Sequence, residues 1–210
     1  MDRFGVVPSP TPERRVTPRR LPAPRRRRQL LDVALEQFSG GGFHGTSMEH
    51  IAETAGVTKP VLYQHFGSKR ALYLELLEDV GSQLMEAITK ATAEAGGPRQ
   101  QVERGFAAYF GYVSQRSSAF RLLFSEGTRR DEEFSEAVRR VEDSIAGAVA
   151  ILIEADIDDD HRRQLAHAVV GMAEGVSRAG LASGRVTDPQ VLARRMAELA
   201  WAGLRGIRRD

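Results

Sequence analysis

Cysteine is missing altogether from the 210 residues. That excludes a disulfide framework, a thiolate metal site and a thiol nucleophile, and it suits a reducing compartment. Nor is there an uninterrupted apolar run of about 18 residues, so no membrane-spanning helix and no membrane partner are expected. The N-terminal arginines and prolines are not followed by an apolar segment of the kind that marks a secretory signal. The expected location is the cytoplasm. β-Branched alternation over several residues is missing too, which argues against strands. Motifs of catalysis fail to show: no P-loop, no G-x-G-x-x-G after a strand, no G-x-S-x-G and no H-E-x-x-H. His161 and His167 are six apart, off a common helical face. Asp156, Asp158, Asp159 and Asp160 lack the alternating ligands and closing glutamate of a calcium loop. No enzyme, metal site or cofactor is expected.

What is present has a globular profile, 41% hydrophobic and 28% charged. The net charge of +2 conceals an asymmetry, because residues 1–28 hold nine arginines against Asp2 and Glu13. Six of the nine prolines fall in the same stretch. Proline blocks helix propagation, and so few apolar residues cannot build a core, so residues 1–24 read as a disordered basic arm. Such an arm either solubilises the chain or, through Arg19 to Arg28, reaches phosphates or a minor groove.

From Arg26 onward the pattern is helical, giving an all-α chain of about nine helices. Leu30, Leu31, Ala34, Leu35 and Phe38 share one face of the first, which stops at Gly40, Gly41 and Gly42. Thr46 and Glu49 read as a capping box opening the second, and Gly56 ends it. Thr58 reads as N-cap of a third, short helix, which places Pro60 in a first turn where its missing N–H costs little. A long fourth helix runs from Lys69 to about Ala93. Further helices are expected at about 99–116, 119–125, 131–155, 159–182 and 188–207.

The short third helix carries the informative residues. If Val57, Leu62 and Phe66 turn inward, its other face presents Thr58, Lys59, Val61, Tyr63, Gln64 and His65. Lysine and glutamine read base edges, valine touches a thymine methyl, and tyrosine and histidine bond phosphates. Two short helices joined by a tight turn match a helix-turn-helix, whose latter helix enters the major groove. The stretch "GFHGTSMEHIAETAGVTKPVLYQHFGSKRALYLELL" resembles the DNA-binding region of the TetR family of bacterial regulators. The likeness rests on G-x-x-x-T-S, I-A-x-x-A-G-V, L-Y-x-H-F and K-x-x-L over roughly residues 25–75. Lys59-Pro60 stands where that family often has small residues or glycine.

The resemblance implies that Thr46, Tyr63, His65 and Lys69 contact phosphates. It implies that Ser47, Thr58, Lys59, Pro60, Val61 and Gln64 contact bases or nearby backbone. It divides the chain into the arm at 1–24, a DNA-binding domain at 25–72 and an effector-binding, dimerising domain at 73–210. The partners implied are a pseudo-palindromic double-stranded operator, a second copy of the chain and a hydrophobic small molecule. The regulator is expected to repress or to activate by changing the spacing of its two reading heads. A fatty acid or fatty acyl-CoA is one effector; an amphipathic drug acting on an efflux regulator is the other. A helical interaction module without DNA binding is the competing class. Phe106, Tyr109, Phe110, Val113, Phe120, Leu123, Phe124, Val149, Leu152, Val169 and Met172 are candidates to line an apolar cavity, or simply to pack a core. Gly171, Gly175, Met196, Leu199, Ala200 and Leu204 are candidates for a four-helix dimer interface.

Overall fold

The computed structural model describes residues 22–183 and 187–207, and the expected basic arm therefore lies almost wholly outside the described residues. Among them there are ten helices and no strand. In order they are α1 (Ala23–Gly45), α2 (Met48–Thr54), α3 (Lys59–His65), α4 (Lys69–Ala93) and α5 (Pro98–Gln115), then α6 (Ser117–Phe124), α7 (Glu126–Arg130), α8 (Glu132–Ile151), α9 (Asp159–Ser183) and α10 (Pro189–Leu204). No helix of the described residues is long and apolar enough to cross a membrane.

The tenth helix is α7, whose "EGT" looked like a stop. Ser125 accepts from the Thr128 backbone N–H at 3.1 Å and so caps a five-residue helix too short to show a periodicity. α1 also differs from expectation. It begins at Ala23, takes Arg25 to Arg28 into regular helix, and bends at Gly42 before a last turn.

Two hydrophobic clusters organise the chain. The first gathers α1, α2, α3 and the first half of α4 around Leu30, Ile51, Leu62, Leu72 and Leu76, each wholly buried. The second lies among the rest of α4, α5, α8, α9 and α10. α6 serves both: Leu122 and Leu123 belong to the first and Phe120 to the second. Midway along α4, Gly81 meets α8 so closely that a Cβ there would lie 2.4 Å and 2.6 Å from the Val141 methyls. Only glycine permits that approach.

Candidate nucleic-acid interface and effector cavity

Each helix of the N-terminal half is held by a local device. Ser47, not Thr46, is the N-cap of α2, accepting from the His50 N–H at 3.1 Å. The expected capping box is corrected accordingly: Thr46 is buried and its hydroxyl donates back to the Gln37 carbonyl of α1 at 3.1 Å. Between α2 and α3, Gly56 has φ +66°. Around it the Gly56 and Val57 N–H groups return to the carbonyls of Glu53 and Ala52. This left-handed turn would strain any side chain, and it sets the angle between the helices. Thr58 then holds the N-cap position of α3 without a side-chain capping bond, which leaves its exposed hydroxyl open.

α3 buries Leu62, and Phe66 just beyond it packs inward. Thr58, Lys59, Pro60, Tyr63 and Gln64 are left exposed, with Val61 and His65 half-buried beside them. The end of α3 is fixed by Arg27, which donates to the His65 carbonyl at 2.6 Å and stacks 4.5 Å from the centre of the Phe66 ring. Arg27 also pairs with Glu75, and Arg28 with Asp79 at 2.8 Å. These two arginines brace α1 against α4 and do not belong to a free arm. Lys59 pairs with Glu49 of α2, an exposed contact that raises the lysine pKa and lowers that of the glutamate.

Lys69 also has a role within the chain. Its ammonium donates to the carbonyls of Phe43 at 2.8 Å and Thr46 at 3.0 Å, and sits 4.5 Å from the centre of the Phe43 ring. The α1 end has unpaired carbonyls, and a cation satisfies them. Two of its three N–H donors are thereby used, so it clamps the turn that presents Ser47. Arg70 joins the halves, reaching Asp131 and Glu133 at 2.8 Å and packing 4.6 Å from the Phe134 ring centre.

The C-terminal half encloses a cavity of about 420 Å³ between α4, α5, α6, α8, α9 and α10. Leu84, Ile88, Phe106, Ile145 and Val170 form much of its apolar wall. Glu154, Asp156 and Arg205, all exposed, also line it, as do Leu123 and Phe124 of α6. The α8–α9 loop, which carries Glu154 and Asp156, is pinned by Arg162, which donates to the carbonyls of Ile153, Ala155 and Ile157. Glu142 and Glu174 also face the cavity. Burial, and then the charge of Glu142, push the Glu174 carboxyl up to about 7 against the opposing pull of Arg178. Burial raises Glu142 as well.

A helix-turn-helix in one half and a cavity in the other are thus joined by α4. Residues 30–76 match the model for bacterial regulatory proteins of the tetR family, and residues 98–203 match the tetracyclin repressor-like C-terminal domain. The chain is 32% identical over 187 residues to the HTH-type transcriptional activator FasR of Mycolicibacterium smegmatis, covering 88% of this chain and 85% of that protein. The chain belongs to the TetR family. A TetR-like transcriptional regulator from Rhodococcus sp. RHA1 superposes with a TM-score of 0.72 at 31% identity, over 90% of this chain and all of that one. FadR from Bacillus subtilis, solved in complex with stearoyl-CoA, shares the fold with a TM-score of 0.73 at 16% identity, over 84% and 98% of the two chains.

Within this TetR-family fold, seven of the cavity candidates do line it: Phe106, Tyr109, Leu123, Phe124, Val149, Leu152 and Val169. Phe110 and Phe120 are buried in the surrounding core, and Val113 and Met172 pack partly buried against it, outside the lining. Of the interface candidates, Gly171 and Leu199 are exposed, and Gly175 and Met196 half-buried. Ala200 is buried within its own chain, and Leu204, half-buried, also lines the cavity. Sequence reasoning overlooked Trp201, the single tryptophan, in the cavity wall. It also overlooked Glu142, although its place on α8 four residues after Val138 and three before Ile145 hints at an inward turn.

Proposed function

We propose that the chain is a homodimeric transcriptional regulator in which α3 reads a pseudo-palindromic DNA operator and an apolar effector in the cavity resets the distance between two such helices. The observation that carries this is the exposed face of α3, where Thr58, Lys59, Tyr63 and Gln64 stand free of the core while Leu62 is wholly buried. Residues 25–72 form the reading domain and 73–210 the sensing and pairing domain, with α4 common to both. Tyr63 and His65 contact phosphate; Ser47, Thr58, Lys59, Pro60, Val61 and Gln64 meet bases or nearby backbone. Thr46 and Lys69 shape the α1–α2 turn that positions Ser47.

Pairing uses the outer faces of α9 and α10. A Cβ at Gly171 or Gly175 would meet nothing within 4 Å in its own chain, so no internal packing requires glycine there. Close approach of a second helix does. Leu199, 58% exposed, adds an apolar contact on α10. A twofold dimer then sets its reading helices roughly 34 Å apart, one turn of DNA.

An acyl chain is the effector body best supported, by the apolar walls and by the stearoyl-CoA held in the Bacillus subtilis FadR structure. An effector shifts the reading heads only by binding one arrangement better than the other. α6 provides the connection, since it borders the cavity through Leu123 and Phe124 and holds α1 through Ser118, whose hydroxyl donates to Glu36 at 3.0 Å. The test is selection from a random duplex library at fixed salt, followed by titration of the bound complex with stearoyl-CoA. The expected result is an inverted repeat with half-sites about one helical turn apart, released or tightened by the acyl-CoA. Failure to enrich any repeat would refute DNA reading, and an indifferent complex would refute acyl-CoA as effector.

A further inference from the structure

One stretch of the cavity wall is polar. Tyr109 of α5, Glu142 of α8 and Glu174 of α9 line it next to Leu123 and Phe124. Tyr109 is 5% exposed and Ser177, three residues along α9 from Glu174, 7%; their hydroxyls face one another, but neither makes a hydrogen bond of good geometry. Neither carboxylate forms a hydrogen bond or ion pair among the described residues. The charged groups around them are Arg178 and His167 on α9, and Arg139 and Asp143 on α8.

Buried polar atoms find partners in nearly every protein, so this cluster asks for one from outside the chain. The methyl end of a plain acyl chain satisfies none of it. A carboxylate is repelled by Glu142 and Glu174. An ammonium suits the glutamates but offers nothing to the phenol proton of Tyr109, because it has no acceptor. An alcohol both donates and accepts. We propose that Tyr109, Glu142 and Glu174 form a hydroxyl-reading subsite, and that the effector is an apolar chain bearing an alcohol group. This rests on the reading that the cavity holds the effector, and it narrows the class of that effector. A neutral partner also fits the electrostatics: Glu174, pushed up to about 7, is only partly ionised near neutrality, so it is neither a full counter-ion for an ammonium nor an uncharged neighbour for a carboxylate.

Trp201 in the cavity wall reports binding without a label. The full-length protein is titrated at pH 7 with 1-dodecanol, dodecylammonium and dodecanoate, following tryptophan fluorescence and confirming occupancy by native mass spectrometry. Dodecanol is expected to bind at least about fivefold tighter than either charged probe, the effect of a hydrogen bond made or lost. Tyr109→Phe removes from the free protein only the approach of its hydroxyl to Ser177 and should abolish that preference. Glu174→Leu should abolish it too, while Glu174→Gln, which keeps an acceptor, retains most of it. Tighter binding of dodecylammonium would make this a cation site and overturn the proposal. A dodecanol preference that persists in Tyr109→Phe, or equal affinity for dodecanol and dodecanoate, would overturn the subsite and leave the cavity reading standing. Binding of none of the three would overturn the cavity reading itself.

Discussion

The two halves of the chain differ in where buried polar side-chain atoms are left without a partner. Around α1 to α3, and where α6 and α7 meet α4, such groups are paired, as Thr92 also is beside the cavity. Thr46 donates to Gln37, and Lys69 satisfies two carbonyls. Thr128, 1% exposed, gives its hydroxyl proton to the Leu122 carbonyl at 2.8 Å and accepts from Tyr73 at 2.6 Å. In the sensing half the unpaired atoms accumulate: Gln101 Oε1, Tyr109 Oη and Ser177 Oγ, the only buried side-chain atoms without a partner among the described residues, all lie on α5 and α9. On the proposed function, the paired groups lie where geometry is to be kept and the unpaired ones where a ligand would enter.

The comparison can be broken most directly by matched truncations of two phenylalanines. Phe134→Ala, at the α4–α8 junction where the ring contacts Phe43 and Tyr73, should cost about 3–5 kcal/mol in thermal or urea unfolding. Phe106→Ala, beside space already empty, should cost roughly 2 kcal/mol; equal losses would mean that the cavity wall is packed as tightly as the first core. Next in size is Lys69→Ala, expected to lose about 1.5–3 kcal/mol through its charged hydrogen bonds. Gln64→Ala should unfold like the parent but bind operator about tenfold more weakly, the scale of one base contact. If Lys69→Ala were fully stable, the clamp would be disproved.

Gly81→Ala should cost about 1–3 kcal/mol, since Val141 has to move to admit the methyl group. An unchanged melting temperature would show that α4 and α8 part freely. The smallest effect belongs to Glu174. Its folded pKa of about 7 exceeds the ordinary 4.5, so the native state binds more protons in that window and loses stability as pH rises through it. Glu174→Gln should therefore raise the melting temperature by roughly 2–4 °C at pH 8, corresponding to ~1 kcal/mol, and change little at pH 4.5. A gain of the same size at both pH values would exclude titration as its cause.

The reading half was largely legible in the sequence because its signals are local. Gly56, the Thr58 cap position and Pro60 lie within five residues, and the inward Leu62 and Phe66 follow from helical spacing. What escaped notice was long-range. Nothing near Lys69 announces the carbonyls of Phe43 and Thr46, more than twenty residues earlier, and nothing near Thr46 announces Gln37. The cavity was legible only as an apolar set. Periodicity identifies inward faces, but Phe110 and Phe106 face inward alike, and only the packing of neighbouring helices decides which one meets empty space. Polar lining such as Glu142 is the hardest to foresee, because an amphipathic pattern assigns a glutamate to solvent by default.

The glycine contact in α4 has one further consequence. Gly81 is the middle residue of Lys69–Ala93, with twelve residues on either side, about 18 Å of helix each way. A rod held at its midpoint against a neighbour is a lever of equal arms. Were α4 to tilt about that contact, Thr92 and Ile88 at the cavity would move one way and Lys69, with the turn it grips, the other by a similar amount. On the proposed function, expansion around an effector on one side of Gly81 would then become inward travel on the other, and the Arg70 pairs to Asp131 and Glu133 would be what resists it.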